Sequence, residues 1–199
     1  MRARSVLVLV CVSGLFAVGC AATGLTYSLT TYLDPHFPKV THSDIPPITD
    51  PRPLHLRVEF QPLGKPNLRA SLKALGKTSK ILLESKLFSE LTLVEDVNRL
   101  SIVMSSAADP NELAKGVGMG LTLGLIGESV TNDYLFTATY TPVGKESIKK
   151  EYRRTTHTNL GLNKRPEGLQ AMSPQEAFDK VLEEFVLSLL RDLRAEGHL

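Results

Sequence analysis

The chain has 199 residues, with 23 Lys and Arg against 21 Asp and Glu and a formal net charge of +2. That balance argues against a nucleic-acid partner, because such binding rests on an excess of cations facing phosphate. The two cysteines, Cys11 and Cys20, both stand at the N-terminal end, so no disulfide framework or thiolate site is available to the body of the chain.

In chain order, the first element is a secretion signal. Arg2 and Arg4 form a positive n-region, residues 5–18 form an apolar run without an acidic side chain, and small residues precede Cys20. The run is shorter than the roughly 18 to 20 residues that span a bilayer as a helix. Its end, Ala17-Val18-Gly19-Cys20, resembles the lipobox of bacterial lipoproteins, with Ala17 where that family usually has Leu. The resemblance implies diacylglycerol on the Cys20 thiol, cleavage that removes residues 1–19, and acylation of the new amine by palmitate-class chains. Cys11 follows Val10, where the family has Gly, Ala or Ser, and reads as a small apolar residue of the signal. Each buried methylene contributes about 0.8 kcal/mol, so two or three chains make attachment effectively permanent. The predicted location is the cell envelope. In the lipoprotein family it resembles, an Asp directly after the cysteine favours the inner membrane; Ala21 stands there, so the resemblance implies the outer membrane, facing the periplasm. Without Arg2 and Arg4 the 23 cations become 21, equal to the 21 acids.

Residues 20–53 follow as the lipidated N-terminus and a Pro-rich tether. Eight of the chain's 12 prolines fall between Pro35 and Pro66, and polyproline II extends by about 3.1 Å per residue. Tyr27, Tyr32, Phe37 and Ile48 suggest the alternative of an ordered arm lying along the domain. Residues 54–199 have the size of one domain.

Within it, residues 54–60 alternate apolar with polar, as a half-buried strand does. Asn67 caps a predicted helix whose Leu68, Leu72, Leu75, Ser79, Leu82 and Leu87 share one face. Residues 91–97 and 100–106 are β-prone runs joined at Asn98-Arg99. Residues 134–141 and 147–158 form a hairpin around Pro142-Val143-Gly144-Lys145. Ser173-Pro174-Gln175-Glu176 is a capping box with proline at the first helical position, and an apolar stripe from Phe178 to Leu193 continues it. The expected fold is α+β: two helices on one mainly antiparallel sheet of four to five strands, with an apolar Gly-rich insert. This element order resembles the small α/β domains of envelope lipoproteins, such as the lipopolysaccharide-transport lipoprotein and the periplasmic domain of the curli secretion lipoprotein.

The insert, residues 113–130, asks for a partner. Gly116, Gly120 and Gly124 have the four-residue spacing that lets apolar helices approach closely, among Leu123, Ile126 and other apolar residues. The segment reads either as a buried helix packed on the sheet or as a surface that touches lipid or another subunit. It is neither a phosphate loop nor a dinucleotide fingerprint: Leu121-Thr122 follows Gly120 where a P-loop needs Lys, and Leu121 takes the place of the third dinucleotide glycine. The histidines have no metal-motif spacing, the serines no nucleophile elbow, and Glu95 with Asp96, read as strand neighbours, point to opposite faces. No catalytic residue, metal ligand or cofactor is predicted. Alternation puts Lys150 and Arg154 on one face of their strand and Lys149, Arg153 and His157 on the other, so Lys150 and Arg154 are candidates for an anionic partner, against the alternative of a charged edge strand. The sequence therefore predicts a non-enzymatic lipoprotein that binds an envelope protein or itself; a lipid-handling or pore-associated subunit using residues 113–130 is the alternative. An envelope hydrolase would require His55, Glu59 and His157 to meet in one cleft.

Overall fold

The computed structural model describes residues 29–62, 64–107, 128–160 and 168–199. Six strands form one sheet: β1 (Leu29–Leu33), β2 (Arg52–Pro62), β3 (Phe88–Thr92), β4 (Asn98–Ala107), β5 (Glu128–Thr141) and β6 (Ile148–Leu160), in the order β1-β6-β5-β4-β2-β3. Two helices, α1 (Leu68–Glu84) and α2 (Pro174–Ala195), cover one face. The fold is α+β, as expected, but the sheet has six strands and is mixed. The β1/β6, β6/β5 and β5/β4 ladders are antiparallel, whereas β2 runs parallel to both β4 and β3.

The sixth strand comes from the stretch predicted to be tether. Thr31 accepts from and donates to the Met172 backbone at 3.0 and 2.9 Å, and its hydroxyl lies 3.0 Å from that of Thr158. Residues 34–51 then run along the domain, with Ile45 buried in the core and Phe37, Val40 and Ile48 packed against it. The arm alternative describes this segment, because its scattered apolar residues find a surface that no local period announces.

The expected connection at Asn98-Arg99 is absent. β3 and β4 flank β2 on opposite sides and do not pair with each other, so residues 93–97 cross over β2 instead of forming a hairpin. Asn98 opens β4, buried, its Oδ1 accepting from the Val143 amide at 3.0 Å. β3 also ends at Thr92, five residues short of expectation, and leaves Leu93 90% exposed. The β5/β6 hairpin is present and longer than predicted.

Helix α1 starts at Asn67, whose side chain accepts from the Ala70 amide. Its buried face is Ser71, Ala74, Thr78, Ile81 and Leu82; of the predicted leucine face Leu82 and Leu87 are buried and Leu75 packs against the core, whereas Leu68 and Leu72 are 76% and 59% exposed. The small residues let the helix lie close to β2: the Ser71 hydroxyl accepts from the Phe60 amide at 2.9 Å and donates to the Asn67 carbonyl at 2.8 Å. Such a hydroxyl is buried with its hydrogen bonds made, so it carries no desolvation penalty. Helix α2 follows the sequence closely. Ser173 and Glu176 close the capping box reciprocally, and Val181, Leu182, Phe185, Val186, Leu189, Leu190 and Leu193 are buried. Phe185 stacks on Phe136 at 4.4 Å between ring centres and meets Tyr152 edge-on at 5.4 Å.

Candidate functional site

The inner face of β6 meets a polar ladder on α2. Glu184, Ser188, Asp192 and Glu196 follow at four-residue intervals, which aligns them along one side of the helix. Opposite them stand Lys150, Tyr152 and Arg154, alternate residues of β6. Lys150 pairs with Glu196, and the Tyr152 hydroxyl donates to Asp192 at 2.8 Å. Arg154 donates from Nη2 to Glu184 at 2.9 Å and from Nε to its other carboxylate oxygen, while Ser188 donates to the same carboxylate. Burial, then the hydrogen bond to Asp192, pushes the Tyr152 hydroxyl well above the usual phenol range. Lys150 and Arg154 thus share a face, as alternation predicts, but that face is inside, and their charges are met by the molecule's own carboxylates. Lys150 keeps 27% of its side chain exposed at the rim, whereas Arg154 keeps 12%. The acid ladder at four-residue spacing inside an apolar helix is the sequence signal that would have located them.

Among the described residues, no helix lies on the opposite face of the sheet. Strand register places its side chains in rows across the strands: His55, Arg99 and Thr141 in one; Arg57, Ser101, Thr139 and Lys149 in the next; Glu59, Val103, Thr137 and Glu151 in a third. A cavity of about 280 Å³ opens here, lined by His55, Arg57, Glu95, Arg99, Ser101 and Thr139 among others. His55 Nδ1 lies 3.2 Å from the carbonyl of Val94 and ties the crossover to the sheet. Arg57 stands 3.6 Å from Glu59, and Arg99, exposed, makes no ion pair among the described residues. A second cavity of about 220 Å³ shares Glu95, Arg99 and Thr141 and adds Asp96. Glu95 and Asp96 sit on the crossover rather than on a strand, so both reach the same cavity. The surface offers guanidinium donors and hydroxyls side by side, a set suited to carboxylate, phosphate or polyhydroxyl groups.

The hydrolase constellation does not assemble. His55 and Glu59 share the open face of β2, whereas His157 lies on β6, separated from it by β4 and β5, or about 14 Å of sheet. His157 Nε2 stands 3.9 Å from Asp34 instead. At the other end of the sheet, a groove of about 330 Å³ runs between the arm, the β5/β6 turn and residues 194–199. Arg194 holds this end together by donating to the carbonyls of Pro46, Pro47 and Leu199. Tyr140 lines the groove, and burial pushes its hydroxyl up to about 12.

Among the described residues, no group of three His, Cys, Asp or Glu side chains is placed to hold a metal ion, and no helix is long and apolar enough to cross a membrane. Cys20, Gly116, Gly120, Leu123, Gly124 and Ile126 lie outside the described residues.

No family model and no curated protein matches the chain. Among solved structures it is similar to a dodecamer of a PelC point variant from Paraburkholderia phytofirmans, at 11% identity and a TM-score of 0.33, covering 83% of this chain and 97% of that one.

Proposed function

We propose that this chain is a lipid-anchored, non-catalytic binding protein of the bacterial cell envelope, held through acyl chains on Cys20 and engaging a second envelope component with the sheet face opposite α1 and α2. The observation that carries the reading is the run from Arg2 to Cys20: a positive n-region, an uninterrupted apolar core and a small-residue approach to one cysteine. What supports the binding role is the sheet face opposite α1 and α2, where Arg57, Arg99, Ser101 and Thr139 line a shared cavity. The Arg57 and Arg99 guanidiniums beside the Ser101 and Thr139 hydroxyls favour polar, acid-bearing partners over apolar ones. The absence of Asp after Cys20 supports an outer-membrane destination.

Two experiments in a host that processes lipoproteins test this. Cells fed an alkyne analogue of palmitate should label the wild-type chain and leave Cys20→Ala unlabelled, with the precursor accumulating when the lipoprotein signal peptidase is inhibited. Equal labelling of both overturns the anchor. A photo-crosslinking amino acid at Thr139 should capture a discrete envelope component, and capture should fall on Arg99→Glu. Crosslinks confined to the chain itself overturn the open face as a binding surface.

A further inference from the structure

Helix α1 presents two adjacent ridges to solvent. Leu68 and Leu72, four residues apart and 76% and 59% exposed, form one. Arg69 and Lys73, also exposed, form the next row round the helix, and Lys65 stands just before it. Between residues 64 and 87 the cations are Lys65, Arg69, Lys73, Lys77, Lys80 and Lys86, against Glu84 alone. The chain as a whole is close to balanced, so this helix concentrates positive charge. Lys77 and Lys80 have partners, Asp179 at 3.9 Å and Glu84 at 3.8 Å. Lys65, Arg69 and Lys73 make no ion pair among the described residues. An apolar ridge beside unpaired cations is the pattern of a helix that lies on an anionic membrane surface.

Topology puts this ridge toward the anchor. Helix α1 begins just after β2 ends at Pro62, which pairs with Ser106, and β1 enters the sheet at Leu29, opposite Leu160, at the same end. The β5/β6 hairpin continues past that level, from Tyr134 beside Ser106 to Glu128 beside Leu160, about 20 Å farther along the strands. The nine peptide links from Cys20 to Leu29 reach at most about 30 Å, so a bilayer holding Cys20 lies within reach of both.

We infer that the Leu68/Leu72 ridge, with Lys65, Arg69 and Lys73, is a membrane-contact face that binds anionic phospholipid. The inference extends the anchoring reading, since it takes the bilayer to lie at the Leu29 end, but its test does not depend on acylation. The mature chain, residues 20–199 with Cys20→Ala, is mixed with vesicles of phosphatidylcholine alone or with added phosphatidylglycerol, and bound protein is measured by sedimentation. Binding is expected on the anionic vesicles, weakening as salt rises, with each of Lys65→Gln, Arg69→Gln and Lys73→Gln lowering affinity roughly fivefold. Leu68→Ser with Leu72→Ser should lower it by at least a comparable factor, while thermal unfolding confirms that these exposed changes leave the fold intact. Equal binding to both vesicle types, or binding indifferent to the leucine pair, overturns the inference. So does a concentration-dependent dimer abolished by Leu68→Ser, which would assign the ridge to a second copy. Failure here leaves palmitate labelling of Cys20 untouched, so the two readings fall separately.

Discussion

The Arg154/Glu184 pair has a measurable signature in stability. The two side chains are 12% and 5% exposed, so neither charge is shared with bulk water, and Glu184 also takes the Ser188 hydroxyl. Removing one partner leaves the other desolvated and unpaired, which costs about 3–5 kcal/mol, about a fifth or more of the roughly 5–15 kcal/mol that holds a domain together. Replacing both by apolar side chains of similar size removes two desolvation penalties at once and is close to neutral. The cycle consists of wild type, Arg154→Met, Glu184→Met and the double variant, each unfolded in urea and followed by circular dichroism. Each single variant should shift its midpoint strongly downward, and the double variant should recover most of the loss. Single losses under about 1 kcal/mol with additive behaviour would mean that the pair acts like an exposed one, and the argument from burial would fail.

Thr78 is fully buried in α1, and its hydroxyl has no hydrogen-bond partner among the described residues; Thr78→Val keeps the shape and should raise stability by about 1 kcal/mol, read as a higher Tm. Ser173→Ala removes half of the α2 capping box and should cost about 1 kcal/mol, seen in the same melt. Tyr140, held near 12 in the fold against 10.0 when unperturbed, keeps its proton in the native state after the unfolded chain has lost it. Its stabilisation is therefore complete below pH 10 and is lost as pH rises toward 12. Absorbance titration should show late tyrosinate ionisation from Tyr140 and Tyr152, its amplitude reduced by one tyrosine in Tyr140→Phe, and an unchanged late amplitude would refute the burial of Tyr140.

Helix α2 and the β5/β6 hairpin were legible in the sequence because their signals are local: a capping box, a sustained apolar stripe and a turn between two alternating runs. What failed depended on partners distant in the chain. Residues 88–92 and 98–107 are strands, but only β2 decides that they lie on either side of it. Leu68 and Leu72 looked like core because leucine usually is; close approach of α1 to β2 favoured Ser71 and Ala74 there instead. The alternation of Lys150 and Arg154 was readable, yet which face a helix covers is settled by α2, more than twenty residues later. Within the candidate site, His55, Arg57 and Arg99 appeared only as the polar half of two strands, since no local pattern marks which face α1 and α2 leave alone.

The position of β1 also has a consequence for the order of assembly. The first strand of the sheet pairs with β6 and bridges to Met172, and the Thr31 to Thr158 contact closes a separation of 127 residues. Contacts this distant in sequence form late, because the intervening chain must be ordered first. A chain emerging N-terminus first therefore cannot seat β1 until its last strand is available. On the proposed export route, led by the N-terminus, this delay would keep Leu29–Leu33 unpaired until Ile148–Leu160 had followed. Folding can then be completed on the far side.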